Sequence, residues 1–278
     1  MDPIIGLLTD FGEKGQHYVA AMKALILKIN PYVKIVDISH SITPFSIIEA
    51  SYVLKTVYNL FPEQTIFIIV VDPGVGGERE ILVIKTISNF FFIGPNNGIF
   101  LYLFEKSEIK ECNNIQNEEY FNKPVSSTFH GRDIMAPVAA QMTKDRDSDL
   151  KKFGPKFDLK NLEKTKTLYE IDIEKKLIKS TIQYIDSFGN AITTIPMIKN
   201  KIKDSELTLK NDSKISLVNR KKIYQGIYTS HFSSVKVDSI LFLTGSTGFL
   251  EISINRGNAS ERIGLRVEDN ILLKLPEA

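Results

Sequence analysis

Cysteine is almost missing from these 278 residues: Cys112 stands alone. That excludes an internal disulfide and any multi-cysteine metal cluster. Nothing around Cys112 would depress its pKa, so it reads as an incidental or buried thiol rather than a nucleophile. Neither sign of charge dominates, with 35 Lys and Arg against 33 Asp and Glu and a net charge of +2. A nucleic-acid footprint needs a basic excess gathered on one face. The runs at Lys151-Lys152 and Arg220-Lys221-Lys222 are short and interrupted, so they read as solvated surface and no nucleic-acid partner is expected. No apolar run approaches the ~18 residues of a membrane span. The opening MDPIIGLLTDFG lacks the basic start and long apolar stretch of a signal peptide. The expectation is a soluble cytoplasmic protein that does not engage a membrane. The histidines His17, His40, His130 and His231 show neither HExxH nor paired spacing, so no zinc site is expected.

What is present is enough apolar sequence, 43% of residues, to bury a sizeable core. The first half alternates short apolar runs with helical periodicity. Ile4 to Leu8 reads as a buried strand. Val19, Met22, Leu25, Ile26 and Ile29 recur at helical spacing until Asn30-Pro31 stops them. Lys34 to Ile38 is a second strand, and Ser46 to Leu60 a second helix. Thr65 to Val71 is an unbroken β-branched run of the kind buried on both faces of a sheet. This rhythm predicts an α/β unit with a mainly parallel sheet flanked by helices, whose ligands gather at the carboxyl ends of the strands. Asp10, the Asp37 to His40 stretch and Asp72 lie at those ends.

Asp145 to Lys166 is charged, punctuated by Gly and Pro, and is the linker candidate. Beyond it the segments Lys179 to Ile185, Ala191 to Ile195, Ser239 to Leu243, Leu250 to Ile254 and Ile271 to Leu275 are short and strand-like. They predict a smaller C-terminal antiparallel β-barrel or sandwich. The domains are set at 1–165 and 166–278.

Four turn segments carry concentrated polar chemistry: TDFG (Thr9 to Gly12), VDPGVGGER (Val71 to Arg79), TFHGRD (Thr128 to Asp133) and IDSFGN (Ile185 to Asn190). Familiar motifs do not account for them. TDFG sits at residue ten with no room before it for a kinase nucleotide lobe. VDPGVGG lacks the Gly-Lys-Ser/Thr of a P-loop.

Together with the Tyr18 to Lys23 helix start, DISHSI (Asp37 to Ile42) and GPNNG (Gly94 to Gly98), these segments resemble the S-adenosylmethionine hydroxide adenosyltransferase family, hydrolytic relatives of the fluorinase and chlorinase. Counting TDFG and the helix after it as one, six ordered segments spread over nearly the whole chain carry the likeness. The resemblance implies hydrolysis of S-adenosylmethionine to adenosine and methionine, and a homotrimer with active sites between subunits. It assigns Asp72, Arg79 and His130 to the handling of water, and Asp10 to the ribose hydroxyls. Asp186 and Asn190 fall to the methionine end. Phe11, Phe129 and Phe188 become candidates for packing on the substrate, and Ser246, Arg256, Asn258 and Ala259 lie near methionine and adenine.

The chemistry suits such residues. A sulfonium is already activated, and displacement at the 5′ carbon expels methionine as a neutral thioether, so no general acid is needed there. The protein must supply an aligned oxygen nucleophile; positioning can contribute up to ~7–11 kcal/mol. A carboxylate or an imidazole can deprotonate water, and a guanidinium can keep the carboxylate ionised. Each residue has a plainer reading. Asp72 and Asp186 could form Asx turns, Asp133 could cap a helix, Arg79 could be a surface charge, and His40 and His130 could be structural. Three other functions stay open, one of them hydrolysis of another nucleoside-like substrate. A halogenase would attack the same carbon with halide, and a non-catalytic adenosine or S-adenosylmethionine binder would only retain its ligand.

Overall fold

The computed structural model describes residues 2–145, 149–164 and 169–276, and the chain divides into two compact units, 1–165 and 166–278. In the first unit, strands β1 (Ile4–Thr9), β2 (Lys34–Ser39), β3 (Ile66–Val70), β4 (Ile81–Thr86), β5 (Phe91–Pro95) and β6 (Ile109–Asn114) form one sheet. Its order is β2-β1-β3-β5-β4-β6. The pairs β2/β1, β1/β3 and β3/β5 are parallel, whereas β4 runs antiparallel to β5 and β6. A tight connection explains the reversal: Thr86 Oγ1 accepts from the Phe90 backbone N–H at 3.0 Å, closing a hairpin that only antiparallel neighbours can share.

The helices are α1 (Gln16–Ile29), α2 (Ile47–Val57), α3 (Ile99–Leu103) and α4 (Ala136–Met142). Strand β3 shows why the sheet needs cover on both sides. Ile66, Ile68 and Val70 enter one apolar cluster with Met22 and Ile26 of α1 and Val138 of α4. Phe67, Ile69 and the following Val71 enter a second with Ala50 and Leu54 of α2 and Phe100 of α3. Successive side chains of a strand point to opposite faces, so an unbroken apolar run can be buried only between two layers.

The second unit contains β7 (Tyr169–Asp172), β8 (Leu177–Ile185), β9 (Ala191–Ile198), β10 (Lys201–Ile202), β11 (Lys214–Asn219), β12 (Lys222–Tyr228), β13 (Ile240–Thr244), β14 (Phe249–Ile254), α5 (Ala259–Ile263) and β15 (Asn270–Lys274). Seven strands run β9-β14-β13-β12-β11-β15-β8, and pairing of β8 with β9 closes them into a barrel. Closure removes the free edges an open sheet would leave. Its pairs are antiparallel except β12/β13, which is parallel. Ile178, Ile195, Phe242, Ile252 and Leu273 fill its interior. Arg220 and Lys221, both at positive φ, are the two-residue turn joining β11 to β12, so this basic run is a hairpin tip.

The expected linker, Asp145 to Lys166, behaves differently over its described part. Leu150, Phe153 and Leu162 are buried, and the Phe153 carbonyl accepts from the backbone N–H groups of Gln116 and Asn117, each at 2.9 Å. Residues 149–164 are therefore packed into the first unit, while 146–148 and the 165/166 boundary lie outside the described residues.

Candidate active site

In the first unit the carboxyl ends of the adjacent parallel strands β1 and β3 deliver Asp10 and Asp72 to one cleft of about 260 Å³. Phe11, Pro44, Phe45, Val75, Thr128, Phe129 and His130 complete its wall. Three local devices hold these residues. The turn after β1 is tied down by Gly12, whose N–H donates to the His40 carbonyl at 2.7 Å. His40 Nδ1 lies 3.0 Å from Thr9 Oγ1, and its Nε2 lies 3.0 Å from Asp37 Oδ1. His40 thus braces the TDFG turn from behind and does not line the cleft.

The second device is the loop after β3. Asn97 of the GPNNG segment donates from Nδ2 to the Val71 carbonyl at 2.9 Å, one residue before Asp72. Gly76 has φ +80, and a Cβ there would come within 2.3 Å of the Ser127 carbonyl oxygen. Glycine lets the Asp72 loop and the loop before His130 approach so closely.

The third is the helix entry after His130. Gly131–Met135 is one π-helical turn running into α4. Pro137 has no N–H to give to the Asp133 carbonyl four residues back, and the Asn122 N–H takes that carbonyl instead at 2.8 Å. A Cβ on Gly131 would sit 2.9 Å from Val70 Cγ1, so the turn presses directly on β3. Asp133 caps nothing. Its fully buried carboxylate accepts from Arg132 Nε at 2.7 Å and Nη2 at 2.8 Å, from Asn122 Nδ2 at 2.8 Å and from the Ser126 N–H at 2.9 Å. Burial alone would raise its pKa, but these donors together hold it below the usual carboxylate value.

Asp72, Arg79 and His130 form one connected group. Arg79 grips Asp72 through Nε, 3.0 Å from each carboxylate oxygen, and through Nη2 to Oδ2. The same Nη2 lies 2.9 Å from His130 Nδ1. Asp72 does not close an Asx turn on its own backbone, and Arg79 is not a surface charge: their side chains are 5% and 13% exposed. Arg79 sits behind the cleft, with Asp72 and His130 on its wall. Burial and the neighbouring Arg79 cation hold the His130 pKa below the ordinary imidazole value.

Asp10 accepts from the Phe45 N–H at 2.8 Å. Burial raises its pKa, against that hydrogen bond, with the Asp72 charge adding in the same direction. Phe11 and Tyr18 each pack edge-on to Phe129 and tilted to one another, with ring centroids 5.2–5.7 Å apart. Phe45 was not singled out in the sequence. It holds φ +69, rare for an aromatic residue, and leaves its ring 67% exposed at the cleft. The backbone contact to Asp10 explains why that strained conformation is held.

The second unit carries its own cleft, of about 780 Å³, lined by Asp186, Phe188, Asn190, Ser246, Glu251, Arg256 and neighbours that include Phe232 and Asn255. Asp186 does form an Asx turn: its Oδ1 accepts from the N–H groups of Phe188 and Asn190, each at 2.9 Å. Asn190 Nδ2 donates to Oδ2 at 2.8 Å. That turn projects Phe188, which is 76% exposed. Asn258 and Ala259 do not line this cleft. Asn258 caps α5 by accepting from the Glu261 N–H at 2.9 Å, and Ala259 is fully buried in the barrel core. Glu251 was missed because an outward-facing residue in an alternating strand carries no periodic signal of a site. Among the described residues, no three His, Cys, Asp or Glu side chains converge as metal ligands.

Residues 5–154 match the family model described as SAM hydroxide adenosyltransferase N-terminal domain, and residues 180–272 match the corresponding C-terminal domain. The chain is 38% identical to an (R)-S-adenosyl-L-methionine hydrolase of Methanocaldococcus jannaschii, covering 96% of this chain and 94% of that one. A fluorinase of an Actinoplanes species is more distant, 25% identical over 51% of this chain. Among solved structures, an uncharacterized conserved protein from Thermotoga maritima superposes with a TM-score of 0.84 at 34% identity, covering 97% of this chain and 99% of that one.

Proposed function

We infer that this chain, which belongs to the SAM hydroxide adenosyltransferase family, hydrolyses S-adenosyl-L-methionine to adenosine and L-methionine. The observation that carries the reading is the connected Asp72-Arg79-His130 group on a cleft that also holds Asp10. Water or hydroxide attacks the ribose 5′ carbon, the carbon–sulfur bond breaks, and its electron pair neutralises the sulfonium as methionine leaves. One proton is released overall.

Roles for the side chains follow from their contacts. A guanidinium can only donate, so the hydrogen bond from Arg79 requires His130 Nδ1 to be unprotonated. His130 is then neutral with its proton on Nε2, a donor that orients the attacking oxygen. The base is Asp72, whose carboxylate Arg79 holds in a fixed orientation. Asp10 takes the two ribose hydroxyls as charge-assisted hydrogen bonds, and Phe11, Phe45 and Phe129 pack against the sugar or base. In the second unit, Asp186, Asn190, Ser246 and Arg256 face the amino-acid end of the substrate. No metal or cofactor is needed in this scheme, because the sulfonium carries its own activation; activity unchanged by a chelator tests that part.

The M. jannaschii relative is named for the (R) form of the substrate, and we assign the same sulfonium epimer to this chain. The working assembly is a homotrimer with active sites between subunits, supported by the family resemblance. Among the described residues no helix is long and apolar enough to cross a membrane, and the proposed location is the cytoplasm. The deciding experiment is product analysis with each S-adenosylmethionine epimer in chloride-rich buffer. Adenosine and methionine released over many turnovers support the reading. 5′-Chloroadenosine as the main product, or a single turnover with retained adenosine, overturns it in favour of a halogenase or a binding protein.

A further inference from the structure

Glu251 sits in the middle of β14, registered against Leu243 of β13 and Ile192 of β9. Leu250, Ile252 and Ile254 of the same strand point into the barrel core, so Glu251 points the other way, into the 780 Å³ cleft. A carboxylate in a central strand is poorly placed on general grounds, since Glu is depleted from strands and burying its charge is costly without a partner. Among the described residues its carboxylate takes one hydrogen bond, from a neutral group, with Ser253 Oγ donating to Oε1 at 2.7 Å. Oε2 lies over Gly245, where a Cβ would approach it to 2.8 Å. Glycine at 245 therefore leaves room for the carboxylate beside the Gly245-Ser246 turn, which lines the same cleft.

The charges of this cleft are unbalanced within the chain. Glu251 and Asp186 both line it, and among the described residues neither is in an ion pair. Burial raises the Glu251 pKa, and the Asp186 charge adds to the rise, as expected for two carboxylates awaiting a cation. Arg256 is the one basic residue on the cleft wall. Two carboxylates and one guanidinium, each without a counter-ion among the described residues, complement a zwitterion: a cationic ammonium beside the acids and an anionic carboxylate beside the arginine.

We propose that Glu251 is a substrate-binding residue that takes the α-ammonium group of the methionine moiety, opposite a carboxylate held by Arg256. This rests on the assignment of the cleft to the amino-acid end of S-adenosylmethionine. The recognition is by charge and donor count, so a substrate lacking the α-amino group loses it.

The test compares Glu251→Gln with the unaltered protein on S-adenosylmethionine and on the analogue carrying hydrogen in place of the α-amino group. Glutamine keeps the size of the side chain and can still accept from Ser253. The expected result is a KM for S-adenosylmethionine raised about ten- to a hundred-fold, the range for losing a hydrogen bond to a charged group, with kcat within about three-fold. KM for the deaminated analogue stays unchanged, and Glu251→Asp recovers part of the loss. Ser253→Ala, which removes the internal partner but keeps the charge, retains the preference for the amino group. Equal losses on both substrates, or no change in KM, overturn the proposal. Failure of the unaltered protein to hydrolyse S-adenosylmethionine overturns the functional reading instead, so the two failures are distinct.

Discussion

Arg79 Nη2 lies 2.9 Å from His130 Nδ1 while the same guanidinium grips Asp72. This single contact divides the labour between the two residues that could accept a proton from water. Because Arg79 can only donate, His130 is held as a neutral acceptor at Nδ1, and the carboxylate is left as the base.

Activity is therefore expected to stay level as pH falls through 6.5 and to decline only below it. Burial and Arg79 hold the His130 pKa down, so the imidazole keeps its neutral form to lower pH than a free one. The stability linkage has the same sign. The unfolded chain binds the proton more readily, so the contribution is present above the unfolded imidazole value and is lost as pH falls toward the folded one. Arg79→Ala removes one cause of the depression and shifts the His130 titration upward, which NMR of the imidazole protons reads directly. A downward shift would contradict the proposed contact.

Asp72→Asn is expected to lower kcat about 10²–10⁴-fold, the usual contribution of a positioned base, with a smaller change in KM. His130→Gln, which preserves a side-chain donor, should lose less than Asp72→Asn. Single-turnover rates separate the chemical step from product release, and the reverse ranking would return the base role to His130.

Asp10→Ala is expected to raise KM about ten- to a hundred-fold by removing charge-assisted hydrogen bonds to the ribose. Since burial raises the Asp10 pKa, substrate binding should weaken with acid at a higher pH than for an exposed aspartate. Titration calorimetry with adenosine across pH 4 to 8 measures this without involving the chemical step.

Gly76→Ala tests the contact between the two loops of the water group. A Cβ 2.3 Å from the Ser127 carbonyl, at φ +80, forces the loops apart. A loss of stability of about 1–3 kcal/mol is expected, together with a fall in kcat. Gly74→Ala meets no atom closer than 3.6 Å and should be milder in thermal melts and in turnover.

If the active sites lie between subunits, inactive Asp72→Asn chains mixed with inactive Asp186→Ala chains should regain activity after subunit exchange. Light scattering gives the mass of the assembly. A monomer, or mixtures as inactive as their parents, would remove the inter-subunit part of the proposal.

The sequence alone determined a good deal here. The β-branched run Thr65 to Val71 dictated a strand covered on both faces, and the alternation of strands with helices placed Asp10 and Asp72 at strand ends. The strand-like segments after residue 177 announced a β unit. These are local patterns, and burial periodicity encodes them directly. Tertiary structure decided the rest. It took the hairpin at Thr86 to Phe90, a turn with no Asn-Gly signature, to set the direction of β4, and the pairing of β8 with β9 to close the barrel. His40 became a brace through Thr9 and Asp37, and Asp133 a staple rather than a cap through Arg132, Asn122 and Ser126. Asn258 and Ala259 turned from cleft to cap and core. The contact of Arg79, already paired with Asp72, to His130 reaches across 51 residues of chain. No sequence period reports such a contact: it exists only where folded loops bring the guanidinium that already grips Asp72 against an imidazole nitrogen.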